Sequence, residues 1–204
     1  KARGGHLGGS LSVTDILAAI YSLADKNNFE LILSKGHCLL AWLCVLHEIG
    51  EVTEEDLMSY HSNGAKFSGH PKRDTSKSIT WGTGSLGHGL SVCSGKALAN
   101  PEKKYFCILG DGETNEGSVW EAFMFISQHR IKNIMVIIDN NKQESLDMTC
   151  NILSIENLEK KLSGFEFASF RIDGHNLEIL LEKIESFLTT TKEYPTVVIA
   201  DTIK

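Results

Sequence analysis

Apolar residues along this chain repeat with two periods. Between Ser12 and Ala24 they fall at helical spacing (Ile16, Leu17, Ala19, Ile20, Leu23) behind Thr14 and Asp15, which predicts a helix. Cys38 to Ile49 predicts a buried helix, Leu90 to Ala99 a helix of small residues, and Leu177 to Leu188 a later one. Thr53 to Ser59 predicts a short helix opened by a capping box, with Thr53 answered by Asp56. Tyr105 to Leu109 and Ile134 to Ile138 are unbroken apolar runs, the pattern of strands covered on both faces of a parallel sheet. Phe29 to Leu33, Phe165 to Ile172 and Thr196 to Ala200 predict three further strands. The polar stretch from His61 to Thr80 predicts a long functional loop. Strands alternating with helices predict an α/β fold, a doubly wound, mostly parallel sheet flanked by helices. No repeat, low-complexity tract or proline-rich linker divides the 204 residues, so one domain is expected over residues 1–204. The chain opens almost directly on a glycine-rich turn and stops just past a strand, so both ends are expected to be trimmed or disordered and to need a neighbour.

Two of these strands end on chemistry. Gly110-Asp111-Gly112 closes one, and Asp139-Asn140-Asn141 closes the next, across an amphipathic helix. In a right-handed βαβ unit both ends lie at one edge of the sheet. Asp111 and Asn141 can then converge on one ion, with the backbone carbonyl of Gln143 as a third ligand. A hard cation such as Mg²⁺ takes oxygen ligands from one or two side chains and the rest from backbone, water and phosphate. Gly112 can bring its N–H against a phosphate, and the helix after Glu116-Gly117 offers a positive end. The segment reads as a metal–diphosphate site, against the plainer reading of polar turn residues.

Composition narrows the partners. Twenty Lys and Arg against 26 Asp and Glu give a net charge of −6 with no basic run, which argues against nucleic acid or an anionic membrane as main partner. No apolar stretch is long enough to span a bilayer, and the start lacks the apolar core of a signal peptide. Five cysteines without CxxC spacing suit free thiols in a reducing, cytoplasmic setting; Cys44, Cys93 and Cys107 sit among apolar neighbours.

Other motifs carry weaker signals. Gly82-Thr83-Gly84-Ser85-Leu86-Gly87 matches the dinucleotide fingerprint, but Ser76 to Trp81 is a poor buried strand to precede it. Histidines follow glycines at His6, His37, His70, His88 and His175, where turns at a sheet edge would expose them as acids, bases or phosphate donors. His47, His61 and His129 read as ordinary residues, Trp42, Trp120, Phe123 and Phe125 as core, and Lys35, Lys66, Lys72 and Arg73 as solvated loop charges.

In order along the chain, GGHLGGSLSVTDIL, ILSKGH, FSGHP, GTGSLGHG, GDGETNEGSVWEA, VIIDNNK and RIDGHN resemble the diphosphate-binding half of transketolase, a thiamine-diphosphate enzyme. The resemblance implies the thiamine-diphosphate-binding fold. It implies that Asp111, Asn141 and the Gln143 carbonyl hold Mg²⁺, or another divalent cation such as Ca²⁺ or Mn²⁺. It implies that His37, Gly112, Glu113 and Asn141 meet the diphosphate side of the cofactor, and Gly84, Ser85 and Leu86 its rings. His6, His37 and His70 would face a sugar or sugar-phosphate substrate, and Glu116 would sit at a contact between paired active sites. The chain departs from the family at His88, where glutamine is usual, as in separately encoded half-enzymes. It departs again in Lys142-Gln143-Glu144-Ser145-Leu146-Asp147, where an apolar turn is usual, and in a shortened segment between Tyr21 and Phe29. A further family histidine would lie beyond Lys204. The glutamate that activates the aminopyrimidine belongs to a second, pyrimidine-binding domain that 204 residues do not include. The expectation is the N-terminal subunit of a split transketolase, an EC 2.2.1 transferase of carbohydrate metabolism. It would work in a heterotetramer, a dimer of heterodimers with a pyrimidine-binding C-terminal subunit. Another thiamine-diphosphate reaction (2-oxoacid decarboxylation, or one like deoxyxylulose-phosphate synthase), an NAD-binding dehydrogenase and a non-catalytic regulatory subunit stay open as alternatives.

Overall fold

The two unbroken apolar runs lie inside the sheet, as β2 (Lys104–Gly110) and β3 (Ile134–Asn140). A computed structural model describes residues 4–25, 27–73, 75–191 and 193–204. The other strands are β1 (Phe29–Leu33), β4 (Ala168–Asp173) and β5 (Thr196–Asp201). Their order is β1-β2-β3-β5-β4, and every pair is parallel. The chain fills the sheet from β1 to β3, crosses to the far edge for β4 and turns back to β5. All five carboxyl ends therefore lie on one side, where open α/β sheets bind ligands.

Helices cover both faces: α1 (Leu7–Leu23), α2 (Leu39–Glu48), α3 (Glu54–Met58), α4 (Gly89–Ala99), α5 (Gly117–Gln128), α6 (Thr149–Ile152), α7 (Leu158–Ser163) and α8 (Leu177–Thr189). Phe106, Ile108, Met135 and Ile137 pack with α1, α2 and α8 in one core. The alternate residues Tyr105, Cys107, Leu109, Ile134, Val136 and Ile138 pack with α4, α5 and α7 in the other. With a core on each face, neither parity of the strand is free to be polar, which is why the runs are unbroken.

Several expectations shift. Helix α1 starts at Leu7, not Ser12, because Gly8 and Gly9, weak helix formers, hide its first turn. Strand β4 starts at Ala168, and Phe167 turns into the second core instead. Helices α6 and α7 add to the elements that the apolar pattern predicts. Phe125 is 38% exposed and not core, Trp120 is only partly buried, and Cys44 is exposed whereas Cys38 is sealed. All five cysteines are free. The N-terminal end expected to be disordered includes residues 1–3, and the shortened segment includes residue 26; both lie outside the described residues. Among the described residues, no helix is long and apolar enough to cross a membrane.

Candidate active site

Strand register joins the two halves of the motif. Gly110 of β2 pairs with Asp139 of β3, and the Asp111 N–H donates to the Asp139 carbonyl at 3.1 Å. Asp111 and Asn141 thus leave adjacent strands at the same edge. Both line a cavity of about 200 Å³, together with His37, Leu86, Gly112, Gln143, Glu144 and Lys204. Asp111 is 2% exposed, and its carboxylate accepts from the Gly112 N–H at 2.8 Å and from the Lys142 N–H. Burial pushes its carboxyl up to about 6, against those two donors, which favour the anion. Asn141 Oδ1 accepts from the Gln143 N–H at 3.0 Å. The Gln143 carbonyl accepts from the Lys204 ammonium at 2.9 Å.

The donor set is a carboxylate, a carboxamide oxygen and a backbone carbonyl, all hard oxygens, and it fits Mg²⁺, Ca²⁺ or Mn²⁺. A buried carboxylate held above its ordinary range gains by meeting such a cation. Among the described residues no three His, Cys, Asp or Glu side chains converge as a metal site. An ion here depends on neutral oxygens and on what its ligand brings.

Three expected histidines form a row that leads away from the cavity, which His37 lines. His6 lies 5.1 Å from His37 and 6.4 Å from His70, ring centre to ring centre. His6 immediately precedes α1, His37 sits in the 3-10 turn after β1, and His70 comes from the long loop. Burial, then the Lys35 cation, pulls His37 down to about 3 from its ordinary 6.5. The ring is neutral near physiological pH. Between those two values the unfolded chain binds a proton here that the native chain does not, so acidification through that window costs stability. His70 is lowered too, by burial and then by His6 and His61. His61, read as ordinary, lies against Gly69, the residue before His70: a Cβ there would fall 3.4 Å from His61 Nε2.

Of the glycine-turn residues, Leu86 lines the cavity, Gly84 packs beside the His70 ring, and Ser85 is exposed. Gly87 has φ of +82°, and a Cβ there would fall 2.7 Å from Glu116 Cβ, so only glycine fits. Glu116 is exposed at the start of α5, away from the cavity lining. Glu113 lines the cavity, but its carboxylate is taken up internally. It accepts from Ser34 Oγ, from the Gly87 N–H at 2.8 Å and from the Gly110 N–H at 3.1 Å. That arrangement makes it a brace between β1, β2 and the glycine turn.

Other site residues escaped the sequence reading. Lys35, grouped with solvated charges, is 1% exposed and ion-paired with Asp139. Burial works against its charge, but Asp139 holds its pKa above the ordinary lysine value. Asp139 also accepts from Ser12 of α1 at 2.6 Å and from the Thr202 hydroxyl past β5. One buried carboxylate thus ties together the segments that carry His6, His37 and Lys204. The signal was present: an aspartate ending a buried strand needs a partner. His175 accepts the Ile203 N–H at Nε2 (3.0 Å), which leaves its Nδ1–H for Asp15 at 2.7 Å. This clasp fixes the residue next to Lys204.

Among the described residues none of 75–81, leading into Gly82, is strand, and α4 begins only at Gly89. The glycine run therefore lacks the strand–turn–helix setting of a dinucleotide fingerprint.

Fold and cavity together define a parallel α/β domain with an oxygen-lined pocket where such sheets take phosphorylated ligands. The family model described as the transketolase thiamine diphosphate binding domain matches residues 1–204, and the chain belongs to that family. It is 34% identical to one of the subunits of apulose-4-phosphate transketolase from Actinobacillus succinogenes, over 98% of this chain and 77% of that one. It is 33% identical to a 6-deoxy-6-sulfo-D-fructose transketolase subunit of a Clostridium species, over 98% of this chain and 77% of that one. The fold superposes on transketolase from Leishmania mexicana with a TM-score of 0.91 at 22% identity, covering 98% of this chain and 34% of that one. That likeness bears on the fold alone, and the chain spans about a third of the solved enzyme.

Proposed function

We propose that this chain is the diphosphate-binding subunit of a split, thiamine-diphosphate-dependent transketolase, active with a pyrimidine-binding partner. The observation that carries the reading is the meeting of Asp111, Asn141 and the Gln143 carbonyl around one cavity, at adjacent strand ends, beside a row of histidines. In this reading the three oxygens hold a divalent cation, Mg²⁺ by preference. Gly112, His37 and Lys204 line the same wall and meet the diphosphate, and Gly84, Ser85 and Leu86 approach the rings. Glu113 acts one step back, by holding Gly87 and Gly110 in place. Bound here, thiamine diphosphate supplies the nucleophilic carbon and the electron sink for transfer of a two-carbon ketol unit.

The chain's own residues bind and orient the sugar. His6 and His70 offer ring nitrogens to its hydroxyls, and neutral His37 can donate or accept a hydrogen bond without carrying charge. The two relatives from split enzymes are named for a phosphorylated and a sulfonated ketose, so we take the donor to be a ketose with an anionic end. Glu116, exposed at the start of α5, faces a second copy in a dimer of heterodimers. We place the assembly in the cytoplasm, consistent with its free thiols.

The test is Asp111→Asn, read by calorimetric titration of thiamine diphosphate in MgCl₂. The variant is expected to lose Mg²⁺-dependent binding while keeping the wild-type circular dichroism spectrum, at a somewhat lower melting temperature because the amide cannot accept from both backbone N–H groups. Undiminished Mg²⁺-dependent binding by the variant would overturn the reading.

A further inference from the structure

The loop after Asn141 supplies a carboxylate to the wall of the diphosphate pocket. Glu144 is half-buried and lines the same cavity as Asp111. Its side chain lies on the open face of Gly112: a Cβ built there would fall 2.7 Å from Glu144 Cδ and 3.1 Å from its Oε1. Asn115, in the turn that follows Asp111, donates to Oε1 at 3.4 Å. The Lys204 ammonium holds the Glu144 backbone carbonyl at 3.2 Å. Glu144 is thus pinned at its backbone from one side and at its carboxylate from the other, against the glycine proposed to meet phosphate.

The charges around the cavity do not balance. Lys35 is neutralised by Asp139, and Glu113 is satisfied by internal donors. Hydrogen bonds do not cancel charge, so among the residues that line the cavity the carboxylates of Asp111, Glu113 and Glu144 stand against the ammonium of Lys204. A diphosphate entering this pocket brings further negative charge to a wall that already carries some.

We infer that Glu144 is a built-in competitor of the diphosphate: its carboxylate occupies the Gly112 face in the free chain and must be displaced when the metal–diphosphate binds. The inference rests on the proposed function of this pocket. It makes cofactor binding more dependent on divalent cation, because the cation must offset Glu144 as well as Asp111. Glu144 therefore sets the cation concentration at which the site fills.

The experiment titrates thiamine diphosphate into the chain over a series of MgCl₂ concentrations. Wild type is compared with Glu144→Gln, which keeps the shape and the acceptor for Asn115 but removes the charge. Glu144→Asp keeps the charge but withdraws it from Gly112. The neutral variant is expected to bind roughly five- to tenfold tighter at low MgCl₂, with the gap closing as MgCl₂ rises, and Glu144→Asp to fall between. Melting profiles without ligand should coincide. Weaker Mg²⁺-dependent binding by Glu144→Gln would overturn the inference and make Glu144 a metal ligand. Equal binding at every MgCl₂ concentration would also overturn it and leave Glu144 a solvated loop charge. Failure of the wider reading looks different: wild type itself would show no Mg²⁺-dependent binding even with the pyrimidine-binding partner present.

Discussion

Lys35 and Asp139 are charges that the fold has closed off from water, at 1% and 0% exposure. Desolvating such a pair costs free energy that their attraction returns only when the remaining polar atoms are satisfied. Here Ser12 and Thr202 complete the Asp139 carboxylate. Removing one partner is therefore far worse than removing both. Asp139→Ala is expected to cost about 3–5 kcal/mol in urea denaturation, because it leaves the Lys35 ammonium buried and unpaired. Lys35→Met combined with Asp139→Leu should cost less than Asp139→Ala alone. A double variant at least as unstable as the single one would show that the charges are not coupled as the structure has them.

At the scale of elements, the glycine turn before α4 is held from outside itself. The Glu113 carboxylate reaches Gly87 in that turn, Ser34 past β1 and Gly110 of β2. Glu113→Ala strands three buried donors, at a cost of about 1–3 kcal/mol for each one that water does not reach. Hydrogen exchange at the Gly87 amide should speed up more than exchange in the middle of β3; uniform acceleration across the sheet would argue against a local brace. The same contacts show what sequence reasoning reads well. Strands β2 and β3 were legible because a core on each face makes every position apolar. The meeting of Asp111 with Asn141 followed from that, since parallel strands share an edge. The capping box of α3 was legible because Thr53 and Asp56 are three residues apart. Helices α6 and α7 were not, being too short to show a period. Lys35 was misjudged and the pairing of Asp139 passed over because their partners lie 104 and 63 residues away along the chain, and the bracing contact of Glu113 spans 79. A charge beside glycine looks solvated until the fold places another charge against it.

For the whole molecule, the sheet delivers one wall of a site and leaves its far side open. The histidine row, Leu86 and the loop after Asn141 all face the same edge, and Leu146 at the cavity mouth is 92% exposed. Leu7 and Leu11, on the outer face of α1, are exposed too, at 61% and 59%. An exposed apolar side chain at the mouth of a ligand cavity, such as Leu146, is what an adjoining protein chain covers. On the proposed function that partner brings the acid that activates the aminopyrimidine, so this chain by itself binds the cofactor weakly and transfers nothing. The expected outcome is separable in one titration series. Ketol transfer from an anionic ketose to an aldose should be absent for the chain alone. It should appear when the pyrimidine-binding partner is added and saturate at equal stoichiometry. Cofactor affinity should rise at the same stoichiometry, because closing the open side removes the bound rings from water. Leu146→Asp should leave the melting profile of the free chain unchanged, since the side chain touches little in it, while raising the partner concentration needed for half-maximal activity. Full turnover by the chain alone would refute the split-site reading, whatever the fate of the metal ligands.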